Sequence, residues 1–238
     1  MPYRTLSPAL IIETAEILDR RVEERFAASG ISRVARELVS LSRDVAKGAR
    51  DLEGPIWWLR ALIAAAIVAG ASMFAFVGTI VPLDRMSSDA LESVQGFEAS
   101  LNTLLLIGIG LFSLITLEER IKRKRVFRQL HGIRSLIHVI DMHQLTKDPA
   151  ALSESFKRTR SSPDRSLGPA ELTRYLDYCS EMLSITGKLA ALYAQSVNDT
   201  VVLEAVNDIE ELGSNLSRKI WQKIMLIDHS AHRPERRR

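Results

Sequence analysis

A run of 21 consecutive residues without a charged side chain, from Ala61 to Val81, constrains this 238-residue chain more than any other feature. A helix of about 20 apolar residues crosses the roughly 30 Å hydrocarbon core of a bilayer. The run lies within an apolar block, Ile56 to Leu83, that has no polar stripe of the kind that a helix in a soluble core shows. The block predicts a transmembrane helix over residues 56–83.

A second apolar block of 17 residues runs from Leu101 to Leu117. It extends back to Phe97 if the Glu98 side chain reaches the membrane interface, which long charged side chains can do. The sequence therefore predicts a second transmembrane helix over residues 97–117, joined to the first by a loop over residues 84–96.

Lys and Arg residues flank the two blocks and are scarce between them, where Arg85 is the one basic residue. The flanking residues are Arg43, Lys47, Arg50, Arg60, Arg120, Lys122, Arg123, Lys124, Arg125 and Arg128. Basic flanks stay in the cytoplasm. The pattern predicts a multi-pass protein of the bacterial inner (plasma) membrane, with a periplasmic loop and both termini cytoplasmic. The N-terminus carries charges throughout and does not resemble a cleavable signal peptide.

Helical periodicity dominates the rest of the chain and no stretch alternates with period two, so we expect an all-α protein without a sheet. Cytoplasmic helices occupy residues 1–53, one of them from Pro8 to Ser29, with breaks expected at Ser29-Gly30, at Gly48 and at Gly54-Pro55. The second span should continue as one helix over 118–146. A loop over 147–169, a coiled-coil-like helical hairpin over 170–228 and a basic tail over 229–238 complete the chain. Within the hairpin, Asn198-Asp199-Thr200 predicts a turn and the N-cap of the last helix.

The first helix of that hairpin has more apolar surface than one antiparallel neighbour can cover. Its heptad seam consists of Leu172, Leu176, Cys179, Leu183, Thr186, Ala190 and Tyr193. Beside the seam lie Tyr178, Met182, Ile185 and Leu189, which need a second partner. We expect these four to form a subunit interface of a homo-oligomer. The N-terminal helices and the helix that follows the second span are the alternatives within the same chain.

Four polar residues, His131, Arg134, His138 and Asp141, are spaced three, four and three apart and share one strip of a helix. Arg134 and Asp141 project close to Leu130 on the apolar face. The strip is either a pH-sensitive or metal-binding site or a buried ion pair that fixes helix register. Two histidines seven residues apart chelate one metal poorly, so no metal is predicted.

The basic run Arg120, Lys122, Arg123, Lys124, Arg125 and Arg128 predicts contact with anionic lipid, at roughly 1 kcal/mol per residue near a membrane surface. The alternative is a flank that serves topology alone. Nucleic acid is not an expected partner, because aromatic residues make up 6% of the chain and no recognition motif occurs.

Three segments carry a family resemblance: Arg134 to Pro149, Glu171 to Met182 and Leu203 to Ile224. They are similar to a family of uncharacterised bacterial two-pass membrane proteins, and the resemblance covers mainly the C-terminal half. It implies a bacterial origin and brings no activity, cofactor or ligand with it.

The sequence contains no phosphate-binding loop, zinc-protease, nucleophile-elbow or paired-cysteine motif, so neither an enzyme activity, a cofactor nor a small-molecule substrate is predicted. The single cysteine, Cys179, lies on the packing seam and should be inert. We expect a membrane-anchored, oligomeric scaffold or signalling element. The rival hypothesis is an oligomeric channel or pore.

Overall fold

The structure, a computed structural model, describes residues 5–80, 90–152, 156–157, 159–162, 167–197 and 199–231. The described residues form helices and contain no strand, which confirms the all-α prediction. The elements are α1 (Pro8–Arg25), α2 (Gly30–Glu53), α3 (Trp57–Ile80), α4 (Ala90–Leu145), a 3-10 turn (Pro149–Leu152), α5 (Pro169–Ser196) and α6 (Thr200–Ala231).

The chain divides into two compact units. The bundle unit comprises residues 1–53 and 125–238, and the apolar unit comprises residues 54–124.

In the bundle unit, α5 is the central helix. It pairs with α6 as an antiparallel hairpin, in which the Leu183 carbonyl of α5 lies against Gly213 of α6. Its opposite side contacts α1 and α2. Phe26, at the end of α1, meets the ring of Tyr175 edge-on at a centroid distance of 5.5 Å. The predicted helical hairpin is therefore present, and α1 and α2 cover the part of α5 that α6 leaves open.

This packing contradicts the predicted subunit interface. Tyr178, Met182, Ile185 and Leu189 are between 0% and 5% exposed within the single chain. The guanidinium of Arg21 on α1 lies 5.2 Å from the centre of the Tyr178 ring and makes a bidentate ion pair with Glu181. The wide apolar arc of α5 is thus satisfied internally, by the N-terminal helices that the sequence offered as an alternative.

Two of the breaks predicted around α2, at Gly48 and at Ser29-Gly30, have different outcomes. Gly48 does not interrupt the helix, because α2 continues through it to Glu53. The break expected at Ser29-Gly30 begins α2 instead of ending α1, which stops at Arg25. Ser29 caps the new helix, since its side-chain oxygen accepts a hydrogen bond from the Ser32 amide at 3.3 Å.

The predicted turn before α6 is confirmed, with Asp199 as the capping residue. Its carboxylate accepts hydrogen bonds from the amides of Val201 at 2.9 Å and Val202 at 3.2 Å. These bonds satisfy two of the amides that the first turn of a helix leaves without an intrahelical partner.

The helix predicted to continue beyond the second apolar block is also confirmed, since α4 is unbroken from Ala90 to Leu145. Residues 90–96, assigned above to the connecting loop, belong to this helix. Residues 84–89 of that loop, and residues 81–83 of the predicted first span, lie outside the described residues. The expected loop over 147–169 begins with a 3-10 turn that its polar composition did not reveal.

In the apolar unit, α3 and the apolar stretch of α4 direct large apolar side chains outward, as in Val68 (64% exposed) and Phe112 (70%). Two helical stretches, Gly30–Ser72 and Leu101–Leu145, are long and apolar enough to cross a membrane. In the most apolar segment of the first stretch, 6% of the residues are buried, and in that of the second stretch, 0% are buried.

Glu118 joins the two helices of the apolar unit. Its carboxylate accepts a hydrogen bond from the Ile56 amide at 3.3 Å, pairs with Lys122 at 3.0 Å and lies 3.5 Å from Arg60. Burial acts to raise the pKa of Glu118, but these donors together lower it below its ordinary value. The carboxylate is therefore ionised at neutral pH and holds the end of α4's apolar stretch beside the start of α3.

Candidate functional site

The predicted polar strip on α4 does not face the core. His131, Arg134 and His138 are exposed and Asp141 is half-buried. The core face of α4 consists of Val126, Leu130, Ile133, Leu136, Ile137 and Ile140. At about 100° per residue this face is centred between Ile133 and Ile137, well away from Arg134. The expectation of a charged pair on the apolar face was wrong because it took Leu130 as the centre.

The buried polar contact of α4 lies one turn further on, at Gln144. This side chain is 2% exposed, and Lys223 of α6 donates hydrogen bonds to its carbonyl groups, with 2.9 Å to the main-chain oxygen. The Gln144 amide donates in turn to Asp141. Lys223 thus places a cation against the last carbonyls of α4, where the helix dipole favours positive charge. This network stabilises the fold.

Metal-binding geometry is absent from the part of the chain that the structure describes, where no group of three His, Cys, Asp or Glu side chains converges. The single cysteine of the chain is also unsuited to nucleophilic catalysis. Cys179 is fully buried, and burial raises the pKa of its thiol to about 12, so it stays protonated at neutral pH.

The basic run separates into residues with different surroundings. Within the apolar unit, Lys122 is engaged by Glu118, whereas Arg120 and Lys124 are exposed. Within the bundle unit, Arg125 and Arg128, which are also exposed, line a cleft. No ion pair joins either of these two arginines to a carboxylate in the described part of the chain.

The cleft lies among α2, α4 and α5 and has a volume of about 270 Å³. Its lining residues are Gly48, Asp51 and Leu52 of α2, Arg125, Arg128 and Gln129 of α4, and Tyr193 of α5. The lining thus includes two arginines, one glutamine and one tyrosine, together with a single acidic residue.

Tyr193 supplies the least satisfied group of this cleft. The residue is fully buried, yet its hydroxyl has no hydrogen-bond partner. Burial raises the pKa of the phenol, with a smaller contribution from the charge of Asp44, so the group is a neutral hydroxyl that can donate. Leaving such a donor unpaired costs roughly 1–3 kcal/mol.

Gly48 makes room for this hydroxyl. A Cβ atom at position 48 would stand 2.8 Å from the Tyr193 oxygen and 3.9 Å from Cγ of Gln129. The glycine that the sequence suggested as a helix break is thus a point of close approach between α2 and α5. Sequence reasoning missed Gly48, Gln129 and Tyr193 as site residues, because Tyr193 fits the heptad seam and nothing in the pattern marks its hydroxyl as unpaired.

Two other cavities lack the combination of basic residues and a buried, unpaired hydroxyl in the lining. One is a groove of about 650 Å³ between α5 and α6, lined largely by small residues such as Gly187 and Gly213. The other lies between α1 and α5, near Ile11. Among the described residues, the buried side-chain oxygens without a partner belong to Asp19 and Tyr193, and Asp19 lines none of these cavities.

No protein-family model, no curated protein and no solved structure matches this chain. The candidate site therefore rests on its own geometry.

Proposed function

We propose that the chain is a two-pass protein of the bacterial inner membrane whose helical bundle serves, without catalysis, as a cytoplasmic membrane-anchored scaffold or signalling element. One observation carries the membrane part of the proposal. The helices of the apolar unit turn large aliphatic and aromatic side chains outward, Val68 and Phe112 among them, whereas the helices of the bundle unit enclose a buried apolar core. A soluble protein rarely exposes so continuous an apolar surface, and helices are among the few structures that satisfy their backbone within lipid.

The orientation follows from the distribution of Lys and Arg residues. Arg85 is the one basic residue between the apolar blocks, whereas ten basic residues flank them, as enumerated above. On this orientation, the bundle unit and its cleft are on the cytoplasmic side of the membrane.

Cysteine labelling tests the topology. In a Cys179→Ala background, a cysteine at Ser88 should react with a membrane-impermeant thiol reagent added to spheroplasts. One at Ser161, which is exposed, should react only after the membrane is permeabilised. Ser88 lies outside the described residues. The reverse labelling pattern would refute the orientation.

Non-catalytic action is proposed because the groups best suited to chemistry are occupied or protonated. Lys223 is held by Gln144, and Cys179 is a buried thiol. Self-association remains part of the proposal, although its surface is not the α5 face that the sequence indicated. A mass measurement of the protein in nanodiscs would determine the number of subunits.

A further inference from the structure

We propose that the cleft lined by Gly48, Asp51, Arg125, Arg128, Gln129 and Tyr193 binds a phosphodiester anion, and that its source is the headgroup of an acidic phospholipid. The choice of a lipid source rests on the proposed function above. The phosphodiester chemistry rests on the cleft alone.

The donors of the cleft suit a phosphate group. Arg125 and Arg128 provide planar guanidinium groups, which recognise phosphate oxygens through paired hydrogen bonds. The Gln129 carboxamide and the Tyr193 hydroxyl add neutral donors. The hydroxyl belongs to a residue that borders the cavity and is buried without a partner, so an acceptor that displaces the side chains covering it would satisfy a group that the protein itself leaves unpaired.

The charge of the cleft limits which anion fits. Two arginines and the carboxylate of Asp51 leave one net positive charge, which matches the single negative charge of a phosphodiester. Asp51 only accepts hydrogen bonds, so it favours a headgroup that carries a hydroxyl donor beside the phosphate. A phosphatidylglycerol headgroup meets both requirements.

The position of the arginines in the chain supports a lipid source. Arg125 follows Leu117, the last residue of the second apolar block, by eight residues. Basic residues so close to a span lie near the negative surface of the cytoplasmic leaflet, where acidic headgroups are concentrated.

Two probes separate the lipid source from a soluble one. The full-length protein, in a zwitterionic detergent, is titrated with short-chain phosphatidylglycerol and, in parallel, with its deacylated headgroup, glycerophosphoglycerol. Calorimetry gives the Kd for each. Saturable binding of the lipid with much weaker binding of the headgroup identifies a lipid site, and equal binding of both supports a phosphodiester site with a soluble ligand.

A matched pair of double variants separates the cleft from general electrostatics. Arg125→Gln with Arg128→Gln should weaken binding by at least about tenfold, because two charge-assisted contacts are lost. Arg20→Gln with Lys219→Gln removes the same charge from exposed positions outside both the cleft and the basic run, and should weaken binding by less than about threefold. Equal losses in the two doubles would overturn the proposal, as would failure of both probes to bind.

Tyr193→Phe tests the hydroxyl and keeps the ring. It should weaken binding by roughly threefold to tenfold, the usual worth of one neutral hydrogen bond. Without ligand, the Tyr193→Phe variant should melt at the same temperature as the original protein or at a higher one, because the hydroxyl has no hydrogen-bond partner to lose. If the ligand raises the melting temperature of Tyr193→Phe as much as that of the original protein, the hydroxyl does not contact the ligand and the proposed site is wrong.

Failure of this proposal is distinguishable from failure of the proposed function. Binding in detergent does not depend on membrane orientation, whereas cysteine labelling at Ser161 does not depend on the cleft.

Discussion

The bundle unit and the apolar unit are both helical and rich in apolar residues, yet they place those residues in opposite ways. Ile133 and Met182 in the bundle are 0% exposed, whereas Phe112 in the apolar unit is 70% exposed. In the bundle, the outer helices carry charged residues on the side away from their neighbours, and the central helix α5 has a wider apolar arc that α6, α1 and α2 cover. In α3 and the apolar stretch of α4, the whole circumference is apolar. The arrangement of apolar residues, more than their number, therefore distinguishes a helix covered by protein from one suited to lipid.

The largest expected effect comes from charging the buried face of α5. Met182→Glu with Leu189→Glu should unfold the bundle unit, because each buried carboxylate costs several kcal/mol against a total stability of about 5–15 kcal/mol. Circular dichroism and a thermal melt measure the loss.

A control double, Leu203→Glu with Trp221→Glu, changes exposed positions of α6 and should stay folded. If the Met182→Glu, Leu189→Glu variant keeps its helicity while the mass of the complex falls by half, these residues form a subunit interface and the packing within one chain is wrong.

Charging the apolar unit should have a different result. Ile67→Lys with Ile109→Lys should reduce membrane insertion, at roughly 2.5–3.5 kcal/mol for each lysine near the centre of a span. The bundle unit should stay folded, since neither side chain belongs to its core. The fraction of protein that resists extraction by alkaline carbonate reports insertion, and unchanged resistance would argue against two membrane spans.

How far the sequence predicts this molecule depends on the range of the interactions involved. Local signals identified the helices, the Asp199 cap and the continuous α4, because period, capping and stop residues act within a few positions. The partners of α5 were not predictable, since a wide apolar arc has the same pattern whether α1 or a second subunit covers it.

The site shows the same limit. Arg125 and Arg128 were predicted as anion contacts from their place after a span. Gly48 and Tyr193 were not, because they are 145 residues apart in sequence and their contact exists only after folding. A helical glycine reads as a break when its packing partner is unknown.

The third prediction concerns the polar contact inside the bundle. Lys223→Met should lower the free energy of unfolding by about 1–3 kcal/mol, because the buried Gln144 side chain and carbonyl lose their donor. Urea denaturation measures the change. Lys219→Met, at an exposed position of the same helix, should change it by less than about 0.5 kcal/mol. Equal effects would mean that the Lys223 contact contributes little.

The smallest effect expected is the pH dependence due to His143, where α4 meets the beginning of α2. Its ring lies so close to Gly30 that a methyl group at position 30 would overlap it. Burial lowers the pKa of His143 from its ordinary value of 6.5, and the charges of Arg33 and Lys147 lower it further. Between the folded and unfolded pKa values, the unfolded chain therefore binds more protons, so stability falls as the pH drops below about 6.5.

His143→Gln should remove this contribution and flatten the dependence of unfolding free energy on pH between about pH 7 and pH 5.5, around the ordinary histidine pKa. His138→Gln, at an exposed position one turn earlier on α4, should leave the slope unchanged and serves as the control. Chemical denaturation at a series of pH values gives both slopes. Because other titrating groups are common to the two variants, the difference between their slopes isolates His143. Equal slopes would show that its ring is as well solvated in the fold as in the unfolded chain.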